Sequence, residues 1–414
     1  MQLSSISLAI TRIGSAFSPA MLFGSGEQGV WYDPSDFSTL FQDSAGTTPV
    51  TAVEQPVGKI LDKSGRGNHA TQATSASRPL LSARVNLLTY SEDFTDAAWL
   101  KSNVTVTSNV EISPIGTSTA ALLTTTDVGH ALREVGTVVT PNTAYKMTFY
   151  VKRGSMSELK YDVYNRSAGS FIIAPTSYYS QTSSVWARVS LDFTTPAGCT
   201  SIDARPLADS GVTGTVYIWG AQLETGSTAT RYQRINAATD YDTVGFPLKE
   251  TFDGVDDNQA TTTGGGASTS AMIVLGFKST LAGAAQTLWS DRTGNTGLKL
   301  EKTAANVIAF SGGNGAAIVT ATGDAIATGT NYVVTALYDG VNLSVQLNNA
   351  TAVTTACVLS AGTAAITVGK DNGAATAFFK GDIYETIYVK DDVQTASQIV
   401  AAKQFVASKS GVTL

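Results

Sequence analysis

The sequence predicts an all-β protein of the antiparallel sandwich class, on the strength of its composition, its hydrophobic period and its turn residues. Charged residues make up 14% of the 414 residues, against roughly 25% in ordinary soluble domains. Thr, Ser, Ala, Gly and Asn take their place, as in chains with many short strands and turns. Apolar residues reach 43%, enough to fill real cores and to set aside a disordered chain. The apolar residues alternate rather than recurring at helical spacing, and Gly, Asn, Asp and Ser clusters separate the runs at intervals suited to sandwiches. The length is that of two or three domains.

The strands follow in order. In AYKMTFYVKRG, Tyr145, Met147, Phe149 and Val151 fall on one face, with Lys146, Thr148, Tyr150 and Lys152 on the other. In VWARVSLDF, Trp186 and Arg188 alternate with Val185, Ala187, Val189, Leu191 and Phe193. Further runs are TVYIWGAQLE (215–224), AMIVLGFK (271–278), NYVVTALYDG (331–340), NLSVQLNN (342–349) and GDIYETIYVK (381–390). Helix signals are sparse. DPSDFSTLFQDS (33–44) suits a turn or two. TASQIVAAKQFVASK (395–409) predicts one helix, capped by Thr395 or Ser397, with Ile399, Val400, Lys403, Phe405 and Val406 as its buried stripe. Two stretches read as seams, 75–94 and 226–254, where one strand pattern gives way to another.

The formal charge is −6, with no basic run. Tracking a phosphate backbone needs a Lys/Arg stripe, so nucleic-acid binding is not expected. No run approaches the roughly 18–20 apolar residues of a membrane span, and membrane insertion is not expected. The N-terminus MQLSSISLAITRIGSAF lacks a basic first region and is interrupted by Arg12, so it reads as a mature segment and not a signal peptide. Cys199 and Cys357 form no disulfide framework or zinc spacing and read as small buried residues in different domains.

Three groups of residues resemble known modules. TFDGVDDNQ (251–259), NYVVTALYDGVNLSVQLNNATA and AITVGKDNGAATAFFKGDIYETIYVKDDVQTASQI follow the order of a concanavalin-A-like, laminin-G-like jelly roll over about 250–414. In that family a turn-rich D-x-SG-x-G-N-H stretch comes shortly before the Phe-Asp-Gly strand. Here it occurs at Asp62–His69, far upstream. Between them, NLLTYSEDFTDAAWLKSNVTVTSN (86–109), YKMTFYVKRG, VWARVSLDFTTP and VYIWGAQLETGSTATRY (216–232) resemble the carbohydrate-binding-module type of sandwich found in bacteriophage tail and virion proteins. Residues 29–79 also resemble a segment recurring in phage structural proteins. The resemblance implies two jelly-roll sandwiches, one inserted in a loop of the other. Residues 29–85 and 237–414 would form the discontinuous host, 86–236 the inserted domain, and 1–28 an N-terminal arm. Insertion is tolerated where the inserted domain's termini lie close together.

The search for chemistry yields few candidates. SGRGNH lacks the Lys-Ser/Thr of a phosphate loop, and Gly65 and Gly67 suit left-handed turn positions. His69 and His130 are the only imidazoles, and no triad is expected at either. Glycosidases need a carboxylate pair. The resemblance includes enzymes with two Glu on one strand, but no such pattern occurs and Glu385 stands alone, so no catalytic residue is expected. Asp253, Asp256 and Asp257 are the candidate calcium ligands, and no other cofactor is expected. Sugar rings stack on aromatic faces. Trp186 and Trp219 read as core, whereas Tyr161, Tyr164, Tyr178 and Tyr179, in a polar stretch, and Trp99 are the candidate carbohydrate platform.

The resemblance implies a phage virion protein, a tail-fibre, baseplate or spike component located in the particle and assembled in the bacterial cytoplasm. Its partners would be host surface polysaccharide or receptor, other virion proteins through the N-terminal arm, and copies of itself, with a homotrimer favoured. An architectural decoration protein and a glycan hydrolase or lyase are the alternatives.

Overall fold

The computed structural model describes residues 17–373 and 376–414. The chain forms two antiparallel β-sandwiches, one set into the other. The host sandwich has two sheets. In the first, Val353–Ala356, Asn342–Leu347, Asn331–Tyr338, Ala271–Ser279 and Lys380–Lys390 lie side by side. Along the free edge of Lys380–Lys390, two strands lie end to end: Gln28–Tyr32 pairs with residues 386–390 and Lys249–Asp253 with residues 380–383. Leu80–Ser82 then pairs with Lys249–Asp253. The second sheet runs from Leu40–Phe41 through Lys59–Ile60, Ala70–Thr71, Gln259–Ala260, Thr367–Val368, Gln286–Ser290, Thr296–Lys302 and Val307–Asn314 to Ile318–Ala325. Residues from before and after the insertion thus share both sheets, and one core holds Val30, Leu40, Ile60, Leu81, Phe252, Phe277, Trp289 and Tyr388 together.

The stretch Asp62–Gln72 belongs to this sandwich. Thr71 pairs with Ala260, and the Gln72 amide donates to Asn258 O at 3.0 Å. Its turn is built on Asp62, whose carboxylate accepts from Trp31 N, Ser64 N, Ser64 Oγ and Asn68 N at 2.7–3.0 Å. Asn68 fastens it from the other side, donating to Gly29 O at 2.7 Å and accepting from Thr263 Oγ1 at 2.6 Å. Gly65 and Gly67 take φ of 81° and 74°, which any side chain would resist. His69 Nδ1 accepts from Asp62 N at 3.0 Å, a structural role.

The inserted sandwich packs two five-stranded sheets. One orders Ala187–Thr194, Ala144–Arg153, Gly214–Thr225, Ala120–Thr125 and Val104–Glu111. The other orders Ser170–Ser177, Lys160–Asn165, Ser201–Ala208, Ala131–Val138 and Trp99–Ser102. Tyr145, Met147, Phe149 and Val151 all enter its core, as their alternation predicts. Entry and exit are clasped by two fully buried amides. Asn86 donates to Ala221 O and Gln233 O and accepts from Leu88 N and Leu223 N, at 3.0–3.2 Å. Gln233 accepts from Val85 N and Asn86 N and donates to Ala83 O and Asp242 O, at 2.7–3.1 Å. Cys199 and Cys357 are free and buried, in the inserted and host cores respectively.

The helix Ala396–Ser410 closes with a Thr395–Gln398 capping box and a left-handed Gly411. It covers the outer face of the first host sheet, meeting Trp31, Met272, Val274 and Ile387. Its buried face is Ala402, Lys403, Val406 and Ala407. Val400, expected in the stripe, is 47% exposed, because the helix buries only its C-terminal half, from Ala402 onward. The 33–44 segment forms one 3-10 turn, Phe37–Thr39, followed by a two-residue strand. The expected arm divides. Residues 1–16 lie outside the described residues, whereas Leu22 and Phe23 are buried against the C-terminal helix and Phe17 meets Phe405 edge-on at 6.3 Å. Apolar side chains in that short stretch find cover within the chain.

Candidate functional site

The expected aromatic platform does not form. Trp99 is fully buried, with its Nε1 donating to Thr89 O and Tyr90 O at 3.2 and 3.1 Å. Tyr161 and Tyr178 stack in the core at 5.4 Å, and the Tyr178 hydroxyl donates to Pro206 O at 3.0 Å. The stretch around Tyr178 is polar in sequence, but its hydroxyl finds a backbone carbonyl, so the ring turns inward and stacks on Tyr161. Tyr179 lies under the Arg153 guanidinium at 3.8 Å. Tyr164 remains on an outer sheet face, edge-on to Phe171 at 5.2 Å with Arg205 over both rings. Trp186 is only half-buried and donates to Ile112 O at 2.8 Å.

The structure instead brings together the two ends of the inserted sandwich. Tyr90, Glu92, Asp93 and Thr95 come from its entry loop, Ser108, Asn109 and Thr119 from an edge strand and the turn after it, and Arg234 and Asn236 from its exit. They line a recess of about 320 Å³. Under it Trp219 and Tyr232 pack at 4.6 Å, and the Trp219 indole donates to Thr119 Oγ1 at 2.9 Å. The Tyr232 hydroxyl meets Ser91 Oγ at 2.7 Å and donates to Glu92 at 3.2 Å. Burial pushes the Glu92 carboxyl above its usual range, against the pull of the Tyr232 hydroxyl and Arg234. Asp240 and Asp242 hold the Arg234 guanidinium from behind at 3.4 and 3.2 Å. The Asn236 amide donates to Asp240 at 2.8 Å. Tyr90 and Asn109, neither a glycine, take φ of 47° and 60°. Such strain collects at functional sites, where the surrounding structure over-determines it. A guanidinium, amides, hydroxyls and carboxylates converge in the recess, with Tyr90 the aromatic residue of its lining; such donors and acceptors suit a polyhydroxylated ring.

Sequence reasoning missed these residues because 139–146 positions separate Tyr90–Thr95 from Arg234–Asn236. The signal was present in part: NLLTYSEDF and the exit of WGAQLETGSTATRY are the two ends that the Asn86–Gln233 clasp joins.

Asp253, Asp256 and Asp257 do converge, with one oxygen from each within 4.8 Å of the others. Backbone groups already use much of their capacity. Asp253 Oδ1 accepts from Val255 N at 2.8 Å and Asp257 Oδ2 from Asp253 N at 2.9 Å, while Asp256 Oδ2 accepts from Ser77 Oγ at 2.8 Å. Calcium takes 6–8 oxygens, so the trio fits it only as part of a shell completed by carbonyls and water. The cluster first explains a tight Asp-Gly turn. Burial and the neighbouring carboxylates raise Asp257 to about 6.

No family model matches the chain, and no curated protein matches it. Among solved structures it is similar to domains LG4-5 of the mouse laminin α1 chain, at 15% identity over 63% of this chain and 89% of that one, TM-score 0.31. It is similar to the CBM22-1 xylan-binding domain of Paenibacillus barcinonensis Xyn10C, at 19% identity over 36% and 100%, TM-score 0.28. It is also similar to the enzymatically active domain of tailspike protein 4 of bacteriophage CBA120, at 17% identity over 35% and 22%, TM-score 0.28. At these values the similarities carry no inference about ligand or activity.

Proposed function

We propose that this chain is a non-catalytic glycan-binding component of a bacteriophage particle, and that the recess between Tyr90, Asn109 and Arg234 takes a saccharide of the host surface. The observation that carries this reading is the recess itself. Its volume lies in the range of small-ligand sites, and its wall combines hydrogen-bond donors and acceptors with the Tyr90 ring. The phage affiliation is supported by the motifs at 86–109 and 216–232 and by the 29–79 segment. Binding without turnover is supported by the sequence, which offers no paired-Glu strand pattern of the kind glycosidases use. Weak single contacts gain strength when many copies act on one particle, and trimerisation and attachment through the N-terminal segment belong to this proposal.

A glycan array with the purified chain tests it. Retention of a defined bacterial surface saccharide, with no reducing sugar released, supports the reading. Release of reducing ends sinks the non-catalytic half. The burial of Trp99, Tyr161 and Tyr178 favours the architectural alternative, since these residues form no platform; an array with no retained glycan, from a folded chain, would support it.

A further inference from the structure

A second recess, also of about 320 Å³, lies on the seam between the two sandwiches. Thr225–Ser227 and Arg231 line it from the inserted sandwich, and Lys249, Lys278, Asn331 and Tyr384 from the host. It shares no residue with the recess described above.

Its charge is unusual for a chain carrying −6. Lys249 and Lys278 converge on one carboxylate, Asp382, at 3.5 and 2.7 Å. All three are largely buried, with side chains 3%, 13% and 5% exposed. Asp382 also accepts from Thr251 Oγ1, and Lys249 donates to Arg84 O at 2.7 Å. Burial lowers Lys249 to about 8, the direction expected of an ammonium with less than a full counter-charge. At the mouth Arg231 rests over the Phe246 ring at 4.9 Å and donates to Val244 O. The one carboxylate in the lining, Glu224, is 1% exposed and already accepts from Gln222 Nε2 and Thr230 N. The two lysines therefore share Asp382, with Glu54 also acting on Lys249, whereas Arg231 at the mouth makes no ion pair among the described residues and is the cation left to meet an anion. A guanidinium and two partly desolvated ammoniums bind anionic oxygens strongly.

We propose that this cleft binds the carboxylate of an acidic sugar, which bridges the two sandwiches. Arg231 and Lys278 would take the carboxylate from opposite sides of the seam, with Phe246, Pro247 and the Tyr384 ring as the apolar wall for the sugar ring. The inference goes beyond the proposed function and stands on different residues.

Isothermal titration of the full chain with digalacturonate, its neutral counterpart digalactose and inorganic phosphate tests it. Digalacturonate is expected to bind, digalactose and phosphate at least about tenfold more weakly. Arg231→Gln and Lys278→Gln should each weaken digalacturonate at least about tenfold. Lys278→Gln removes a buried partner of Asp382 and is checked by its melting curve; Arg231 is exposed, so its variant reports on binding in a folded chain. Equal binding of the neutral sugar, or an unchanged affinity in Arg231→Gln, overturns the proposal. Phosphate binding as tight as digalacturonate overturns the sugar assignment.

Discussion

Replacing Asn86 with alanine should unfasten the inserted sandwich from its host. Asn86 is fully buried and makes four hydrogen bonds, two as donor and two as acceptor. Truncation leaves the Leu88 and Leu223 N–H groups buried with the carboxamide oxygen gone. An unsatisfied buried group costs about 1–3 kcal/mol, so the two together cost about 2–6 kcal/mol, before the smaller loss at the Ala221 and Gln233 carbonyls. That corresponds to roughly a thirtyfold to twenty-thousandfold loss of protection. Hydrogen exchange by mass spectrometry in mild urea reads it element by element. Protection should fall by that factor in Val104–Glu111, Ala120–Thr125 and Gly214–Thr225, while Ala271–Ser279 and Lys380–Lys390 keep theirs. Asn86→Asp keeps the acceptor and should fall between. A loss below about 1 kcal/mol, or an equal loss in both sandwiches, would refute the reasoning that these bonds hold the insertion's two ends.

Three other outcomes follow from buried polar groups. Burial raises Glu250 to about 8, although Gln259 Nε2 donates to it at 2.7 Å. A carboxyl that keeps its proton in the fold and loses it when unfolded makes stability fall as pH rises from about 4.5 to about 8. Glu134 and Asp291, raised to about 7 and about 6 by burial, act in the same direction over narrower windows. Glu250→Gln should flatten the upper part of the slope in denaturant titrations at pH 5, 6.5 and 8; an unchanged slope contradicts the assignment. Asp62→Ala strips four bonds from the Asp62–His69 turn and should cost about 3–4 kcal/mol in thermal unfolding, with Asp62→Asn recovering part of it. Gly29→Ala places a Cβ 1.9 Å from Tyr388 O; the variant should not form the Gln28–Tyr32 pairing, visible as lost exchange protection there and at residues 386–390.

The fold was legible where a single period governed the side chains. Tyr145, Met147, Phe149 and Val151 alternate because one face of their strand meets the core, and of the two expected caps Thr395 is the one that starts the helix. The insertion was legible because Asp62–His69 and TFDGVDD are parts of one pattern with foreign strands between them. Aromatic orientation was not legible. Tyr178 sits among Ser and Thr residues yet is 1% exposed, since a phenol whose hydroxyl reaches a backbone carbonyl buries at little polar cost. Trp186, in an alternating run, stays half out because its indole finds Ile112 O at the strand's end. The recess was hidden for a different reason. Glu92 and Arg234 are ordinary charges in their own stretches, and they become neighbours only where the insertion's two ends meet, through the Asn86–Gln233 clasp and the Ser91–Ile235 hydrogen bonds.

The most direct test of the glycan reading is calorimetric titration of the array-selected saccharide into the wild-type chain and into Arg234→Ala and Asn236→Ala. Both residues lie at the rim of the recess, outside either core. The account predicts that each substitution weakens binding at least about tenfold with the melting temperature unchanged. Affinity equal to wild type in both variants would contradict it.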